Sequence, residues 1–281
     1  GSQNEILIGE YSSMTGTTAT FGQSTHRGLM IAVDEINSRG GVLGKKIKLL
    51  TEDTQSKPEE AASAVTKLIN RDNVKAIIGE VASSRSLAAA PICQANGIPM
   101  ISPASTNPAV TQKGDYIFRV CYIDPFQGEV MAKFVFNSLK LTKAAILKDI
   151  KNDYSVGLAQ YFKEAFEKLG GVIVAEQAYS EGDSDFKAQL TNLKGADPEA
   201  IIVPGYYTEV ALIVKQAREL NMNMPFMGGD GWDSAKLIEI GGPALNNSFY
   251  ATGYSADDTN AVVRQFVAKF HSIYGNDIPD V

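Results

Sequence analysis

The chain has 281 residues, 44% of them hydrophobic and 21% charged, an ordinary globular balance that suffices for one large or two modest domains. A formal net charge of −6, with Lys and Arg scattered, argues against nucleic acid or an anionic membrane as the main partner, because both require a basic face. No apolar run approaches the length that spans a bilayer, and two histidines, His26 and His271, exclude a histidine-rich metal site.

Taken in order, Gly1-Ser2 reads as an expression remnant, and no charged segment with an apolar core precedes Ile6, so any signal peptide is expected to have been removed. Glu5–Glu10 reads as a strand, followed by a hydroxyl- and glycine-rich loop over 12–18 that Phe21-Gly22 closes. Apolar spacing at Leu29, Ile31, Ala32, Val33 and Ile36 predicts a helix from Gln23 to Ser38, stopped by Arg39-Gly40-Gly41. Ile47–Thr51 alternates as a strand, and Pro58 suits the first turn of the next helix. The apolar run Ala76–Gly79 then ends in Val81-Ala82-Ser83-Ser84 and an alanine-rich helix to about Asn96. A second short run, Ile98–Ile101, ends in Ser102-Pro103-Ala104-Ser105-Thr106. Tyr116–Tyr122 is a further strand, and Asp124-Pro125 starts a helix running to about Leu139.

The alternation continues with strands predicted at Ala144–Lys148, Val172–Ala175, Ala200–Val203, Pro225–Gly228 and Phe249–Thr252. Helices fall at Tyr154–Leu169, Asp185–Leu193, Thr208–Leu220, Ser234–Ile240 and Asn260–Tyr274. Strands separated by helices predict an α/β fold with doubly wound parallel sheets, and about nine strands are too many for one compact sheet of this length. The chain is therefore split near Tyr122. Two consecutive strand ends in the first half offer hydroxyls beside a helix N-terminus, whose unpaired N–H groups and partial positive charge suit a carboxylate or phosphate. Ser83 and Ser84 also fit the simpler role of helix caps. Strand ends in the second half lead into Tyr154, Tyr206 and Asp230, so one edge suits an anion, the other a cation, and a zwitterion satisfies both. Taken singly, the tyrosines are ordinary amphipathic residues and Asp230, between glycines, a turn former.

Enzymatic signatures are missing. No G-x-G-x-x-G follows a strand, Gly40–Lys46 lacks the spacing of a phosphate loop, no G-x-S-x-G elbow occurs, and acid pairs such as Asp34-Glu35 read as solvated helix faces. Cys93 and Cys121 have no metal-ligand spacing and read as two buried free thiols.

Several strings in order, FGQSTHRGLMIAVDEINSRGGVLGKKI, IIGEVASSRS, MISPAST, FRVCYIDPFQG and FMGGDGW, resemble the periplasmic amino-acid-binding proteins of bacterial ABC transporters, in the leucine/isoleucine/valine-binding branch. The resemblance runs from Ile6 onward. It implies a type I periplasmic binding fold: two doubly wound lobes, residues 1–121 with 250–281 and residues 122–249, joined by a hinge and closing on the ligand. The crossings fall near Arg119–Tyr122 and Phe249–Thr252. By the same resemblance Ser83 and the Thr106 N–H hold an α-carboxylate, while the Ala104 carbonyl and Thr106 hydroxyl take an α-ammonium. Tyr154 and Tyr206 reach the polar end of the ligand. Phe21, Val81, Ala82 and Ser105 line a mostly apolar side-chain pocket, which Ser105 and the nearby Trp232 open to something polar or larger. Asp230 stands where the best-known relatives have Glu, keeping the ion pair on a shorter arm. The family also continues past Asp280-Val281, so the first lobe is expected to be incomplete, with an exposed face and a pocket residue missing. The implied protein is a monomeric, non-catalytic, extracytoplasmic carrier without cofactor or metal. It delivers Leu, Ile or Val to an ABC permease. The alternatives are a sensor domain of a receptor or regulator with the same fold, a different amino acid or small carboxylate as ligand, or an α/β enzyme.

Overall fold

The computed structural model describes residues 4–280; Gly1-Ser2 and Val281, on which two of the readings above fall, lie outside the described residues. The chain divides into two compact units, one holding the residues up to Cys121 and then Tyr254–Asp280, the other Tyr122–Gly253. Each contains one five-stranded sheet in which every strand pair is parallel.

The first unit runs β1 (Glu5–Ser12), α1 (Ala19–Ser38), β2 (Lys46–Asp53), α2 (Pro58–Asn70), β3 (Ala76–Ile78), α3 (Ser83–Ala95), β4 (Met100–Ser102) and β5 (Ile117–Arg119), with strand order β2-β1-β3-β4-β5. Helix α2 shows how sequence becomes packing. Pro58 needs no N–H in the first turn, Glu59 and Glu60 complement the positive helix end, and Ala61, Ala64, Val65, Leu68 and Ile69 fall on one buried face. That face joins Ile77, Ala89, Ala90, Cys93 and Met100 in one core cluster, where each large aliphatic side chain contributes about 1.5–3 kcal/mol. Helix α1 begins at Ala19, earlier than Gln23, and takes in Phe21-Gly22. Gly22 serves close approach there: a Cβ would lie 2.0 Å from the Ser13 carbonyl oxygen.

The second unit runs α4 (Asp124–Lys133), β6 (Lys143–Asp149), α5 (Asp153–Lys168), β7 (Val172–Tyr179), α6 (Lys187–Gly195), β8 (Ala200–Ile202), α7 (Tyr207–Glu219), β9 (Phe226–Gly228), α8 (Ala235–Gly241) and β10 (Ser248–Tyr250). Its strand order is β10-β9-β8-β6-β7. The helix expected from Asp124 to Leu139 is α only to Lys133 and closes in a π turn over Phe134–Ser138. Strand β7 outruns its expected end at Ala175 because it pairs with β6 as far as Tyr179, after a register shift at Ala144/Ala145. Helix α9 (Ala261–Tyr274) belongs to the first unit, where Arg27 stacks on Tyr274 and pairs with Asp277 at 2.7 Å.

Two further differences from the sequence reading have local causes. Residues 250–253, expected in the first lobe, lie in the second unit. There Tyr250 pairs with Gly228, and Gly253 sits against the Tyr122 ring. Neither cysteine is in a disulfide, and only Cys93 is buried; Cys121 is half-buried with Sγ 3.4 Å from the Ser105 carbonyl oxygen.

Candidate functional site

In both sheets the direction of strand addition reverses once, between β1 and β3 and between β6 and β8. Ligands of open α/β sheets bind at the carboxyl ends of strands flanking such a reversal. The loops there carry most of the residues singled out from the sequence.

At the first reversal Ser83 opens α3, with Val81 and Ala82 buried just before it. The N-cap is Ala82 and makes no side-chain cap; its carbonyl accepts the Arg85 N–H of the first turn at 3.2 Å. Ser83 Oγ accepts the Asn107 N–H at 3.2 Å, tying this turn to the loop after β4. In that loop Thr106 is buried and Ala104 half-buried. Ser105 Oγ lies 2.8 Å from the Glu80 carbonyl, 3.0 Å from the Val81 carbonyl and 2.7 Å from Ser86 Oγ. Its hydroxyl is thus engaged within the loop. Phe21 is buried in the first turn of α1.

Behind this edge lies a pair that the sequence reading assigned no role. Glu80 is buried, and its Oε1 accepts from the hydroxyls of Ser13 and, at 2.9 Å, of Thr54, while Oε2 accepts the Ala82 N–H at 2.9 Å. Arg85, also buried, stands 3.7 Å from Glu80 Oε2 and donates to Ser13 Oγ at 3.1 Å and Thr18 Oγ1 at 2.6 Å. One buried ion pair thus fixes the loops after β1, β2 and β3. Arg119 holds the loop after β4 in a similar way, donating to the carbonyls of Ser105, Asn107 and Pro108 at 2.5, 2.9 and 3.1 Å.

At the second reversal the Asn152 side chain accepts from the N–H groups of Tyr154 and Ser155 and so caps α5. Tyr154 stacks on Tyr206, the N-cap residue of α7, with ring centroids 5.1 Å apart and planes at 18°. The Tyr154 hydroxyl donates to Asp230 Oδ1 at 2.8 Å and accepts the Gly231 N–H at 3.1 Å. Its proton is committed, so towards a ligand this hydroxyl is an acceptor, which suits an ammonium. Burial pushes the Asp230 carboxyl up to about 6, against bonds from Tyr154 and Gln127 that favour the ionised form. Trp232 is buried, and its indole N–H donates to the Val203 carbonyl at 2.8 Å. Gln127, whose side-chain oxygen accepts the Asp230 N–H at 2.8 Å, was missed from the sequence. The available signal was a glutamine in a helical turn whose neighbours Asp124 and Gly128 are buried too.

The edge also carries Asp149 and Glu209, both 3% exposed. Desolvation pushes them up to about 6 and about 7. Among the described residues no cluster of three or more His, Cys, Asp or Glu is arranged to hold a metal ion, and no helix is long and apolar enough to cross a membrane.

Residues 5–281 match the periplasmic binding protein family. The Leu/Ile/Val-binding protein BraC3 of Rhizobium johnstonii is 32% identical over 269 residues, which cover 94% of this chain and 73% of that protein. The crystal structure of a leucine binding protein, LivK, from Thermotoga maritima is similar with a TM-score of 0.91 and 41% identity, covering 98% of this chain and 77% of that one. The branched-chain amino acid transporter substrate binding protein LivJ of Streptococcus pneumoniae, solved in complex with isoleucine, gives a TM-score of 0.91 at 35% identity, covering 98% and 78%. The fold, the motifs and these likenesses agree: the chain belongs to the periplasmic binding protein family.

Proposed function

We propose that this chain is an extracytoplasmic solute-binding protein that captures leucine, isoleucine or valine and delivers it to an ABC transporter permease. The carrying observation is Asp230, a buried carboxylate held by Tyr154 at the end of β9, with no Lys or Arg side chain bonded to it among the described residues. Such a group attracts a cation that arrives with the ligand. The second-lobe edge takes the α-ammonium through Asp230, with Tyr154 Oη as a further acceptor and the Tyr206 ring stacked behind it. In the first lobe the N-terminal turn of α3 at Ser83 and the Thr106 N–H take the α-carboxylate, and the Ala104 carbonyl and Thr106 hydroxyl add acceptors for the ammonium. Phe21, Val81 and Ala82 give an apolar lining that an aliphatic side chain fills. The names of the relatives support the same ligand class.

A thermal-shift screen over the common amino acids, on protein refolded to strip any co-purified ligand, tests this reading. A ligand at a hundred times its dissociation constant adds about 2.7 kcal/mol to the folded state. Shifts confined to Leu, Ile and Val are expected; a cooperatively folded protein that shifts with no amino acid overturns the proposal. Asp230→Ala removes a charge-assisted pairing of about 1.5–3 kcal/mol, roughly tenfold to a hundredfold in affinity by calorimetry. Unchanged affinity would show that the ammonium is held elsewhere.

A further inference from the structure

Gln127 lies in α4 and is 1% exposed. Its Oε1 accepts the Tyr122 hydroxyl at 2.9 Å and the Asp230 N–H at 2.8 Å, and its Nε2 donates to Asp124 Oδ1 at 3.1 Å. The amide also bonds the Asp230 carboxylate. A primary amide has two N–H donors and two lone pairs, and here all four are engaged. A backbone N–H can only donate and an ionised carboxylate only accept, so the partners leave one orientation for the amide.

What Gln127 joins is more informative than its saturation. Tyr122 is the residue at which the chain enters the second lobe, and Gly253 is the last before it leaves. A Cβ on Gly253 would lie 2.5 Å from Tyr122 Cε1, so the entering and leaving segments pack on each other at this tyrosine. Its hydroxyl then reaches Gln127, and Gln127 reaches both the backbone and the carboxylate of Asp230.

We propose that Gln127 is a positioning residue that sets Asp230 in its ammonium-accepting place and ties it to the segments where the chain enters and leaves the second lobe. The inference rests on the proposed role of Asp230. A glutamine that merely fills space would leave the ionisation of Asp230 untouched, and that separates the two cases. Among the described residues Asp230 meets Tyr154 from α5, with Tyr206 stacked on it, Gln127 from α4, which in turn bonds Tyr122 and Asp124, and Asp233 from its own loop. None of these is a cation.

The test follows Trp232, the one tryptophan of the chain, two residues from Asp230. Its fluorescence is titrated with pH in intact, ligand-free protein, and the transition missing in Asp230→Asn is the one that belongs to Asp230. Gln127→Met keeps the length of the side chain and removes its bonds; the Asp230 midpoint is expected to rise from near pH 6 by roughly one unit. Isoleucine affinity against pH should rise to its plateau at the same higher pH. Gln127→Glu keeps the acceptor for Tyr122 and Asp230 N–H but replaces the donor with a second acid, and the midpoint should rise at least as far. If Gln127→Met does not fold cooperatively, Gln127→Glu decides alone. A midpoint that stays at the wild-type value overturns the proposal, as does a midpoint that moves while the affinity profile does not. Wild-type protein that binds no amino acid, yet whose midpoint moves in the variants, would leave Gln127 as the holder of Asp230 and sink the amino-acid reading instead.

Discussion

The carboxyl edges of the two sheets solve the same problem in opposite ways. Both bury carboxylates, and an ionised carboxylate out of water must be compensated or must take up a proton. In the first lobe Glu80 has an internal cation, Arg85, plus donors from Ser13, Thr54 and the Ala82 N–H. In the second lobe Asp149, Glu209 and Asp230 have backbone N–H groups, a phenol and an amide for partners, but among the described residues no bonded Lys or Arg side chain. All three are pushed up, to about 6, 7 and 6. In the first lobe the charge of Glu80 is compensated from within the protein. The second leaves its buried carboxylates without a cationic side chain, and Asp230 is where we propose that the ligand supplies one.

The sharpest way to break this contrast is to remove the internal cation. Arg85→Met strands the Glu80 carboxylate in the first lobe and is expected to cost about 3–5 kcal/mol in urea unfolding, the usual penalty for breaking a buried pair. Combining it with Glu80→Gln should recover much of that loss, because the acid is then gone too. If the single variant lost less than about 1 kcal/mol, Glu80 would not depend on Arg85, and the claimed difference between the edges would fail.

A smaller effect of opposite sign is expected in the second lobe. Glu209 faces Asp149, Glu181 and the Tyr179 phenol, and its carboxyl is raised from an ordinary value near 4.5 to about 7. The folded protein therefore binds a proton there that the unfolded chain releases, between roughly pH 4.5 and pH 7, and stability falls as pH rises through that window. Glu209→Gln should stabilise the protein at pH 8, by about 2 kcal/mol. The gain should vanish by about pH 3.5, where Glu209 of the wild type is protonated in both states. Removing Glu209 also removes a like charge beside Asp149, so the Asp149 midpoint should fall in the same variant. A gain that is independent of pH would point to better packing rather than relief of a buried charge.

How much of this was legible follows from how each residue does its work. Ser83, Tyr154, Tyr206 and Asp230 could be read because their position depends only on sitting at a strand end, and alternating apolar runs mark strand ends. Gln127 and Arg85 could not. Their partners lie 103 residues away for Gln127 and Asp230, 72 and 67 for Arg85 with Ser13 and Thr18, and no local pattern announces such a bond. Ser105 marks the opposite limit. Its place in the loop was readable, but the direction of its hydroxyl, inward to the Glu80 and Val81 carbonyls, depends on how two loops pack. The early start of α1 was hidden because Gly22 reads as a breaker until the Ser13 backbone is seen against it.

The smallest effect is the most telling about ligand chemistry, because it sets helix ends against each other. Helix α5 has a side-chain cap: Asn152 satisfies the N–H groups of Tyr154 and Ser155. Helix α3 has Ala82 at the equivalent place and no side-chain cap. A cap is worth about 1 kcal/mol, so Asn152→Ala should cost roughly that much. Ala82→Ser should add less than that, since its hydroxyl can only share a first-turn N–H such as that of Arg85, which already bonds the Ala82 carbonyl. Yet the same hydroxyl competes for the donors proposed to hold the α-carboxylate, so Ala82→Ser should stabilise the ligand-free protein while weakening isoleucine binding several-fold. Both quantities come from one pair of experiments, urea unfolding without ligand and calorimetry with it. If stability and affinity rose together, the first turn of α3 would not be the carboxylate site, and its missing cap would have no bearing on the ligand.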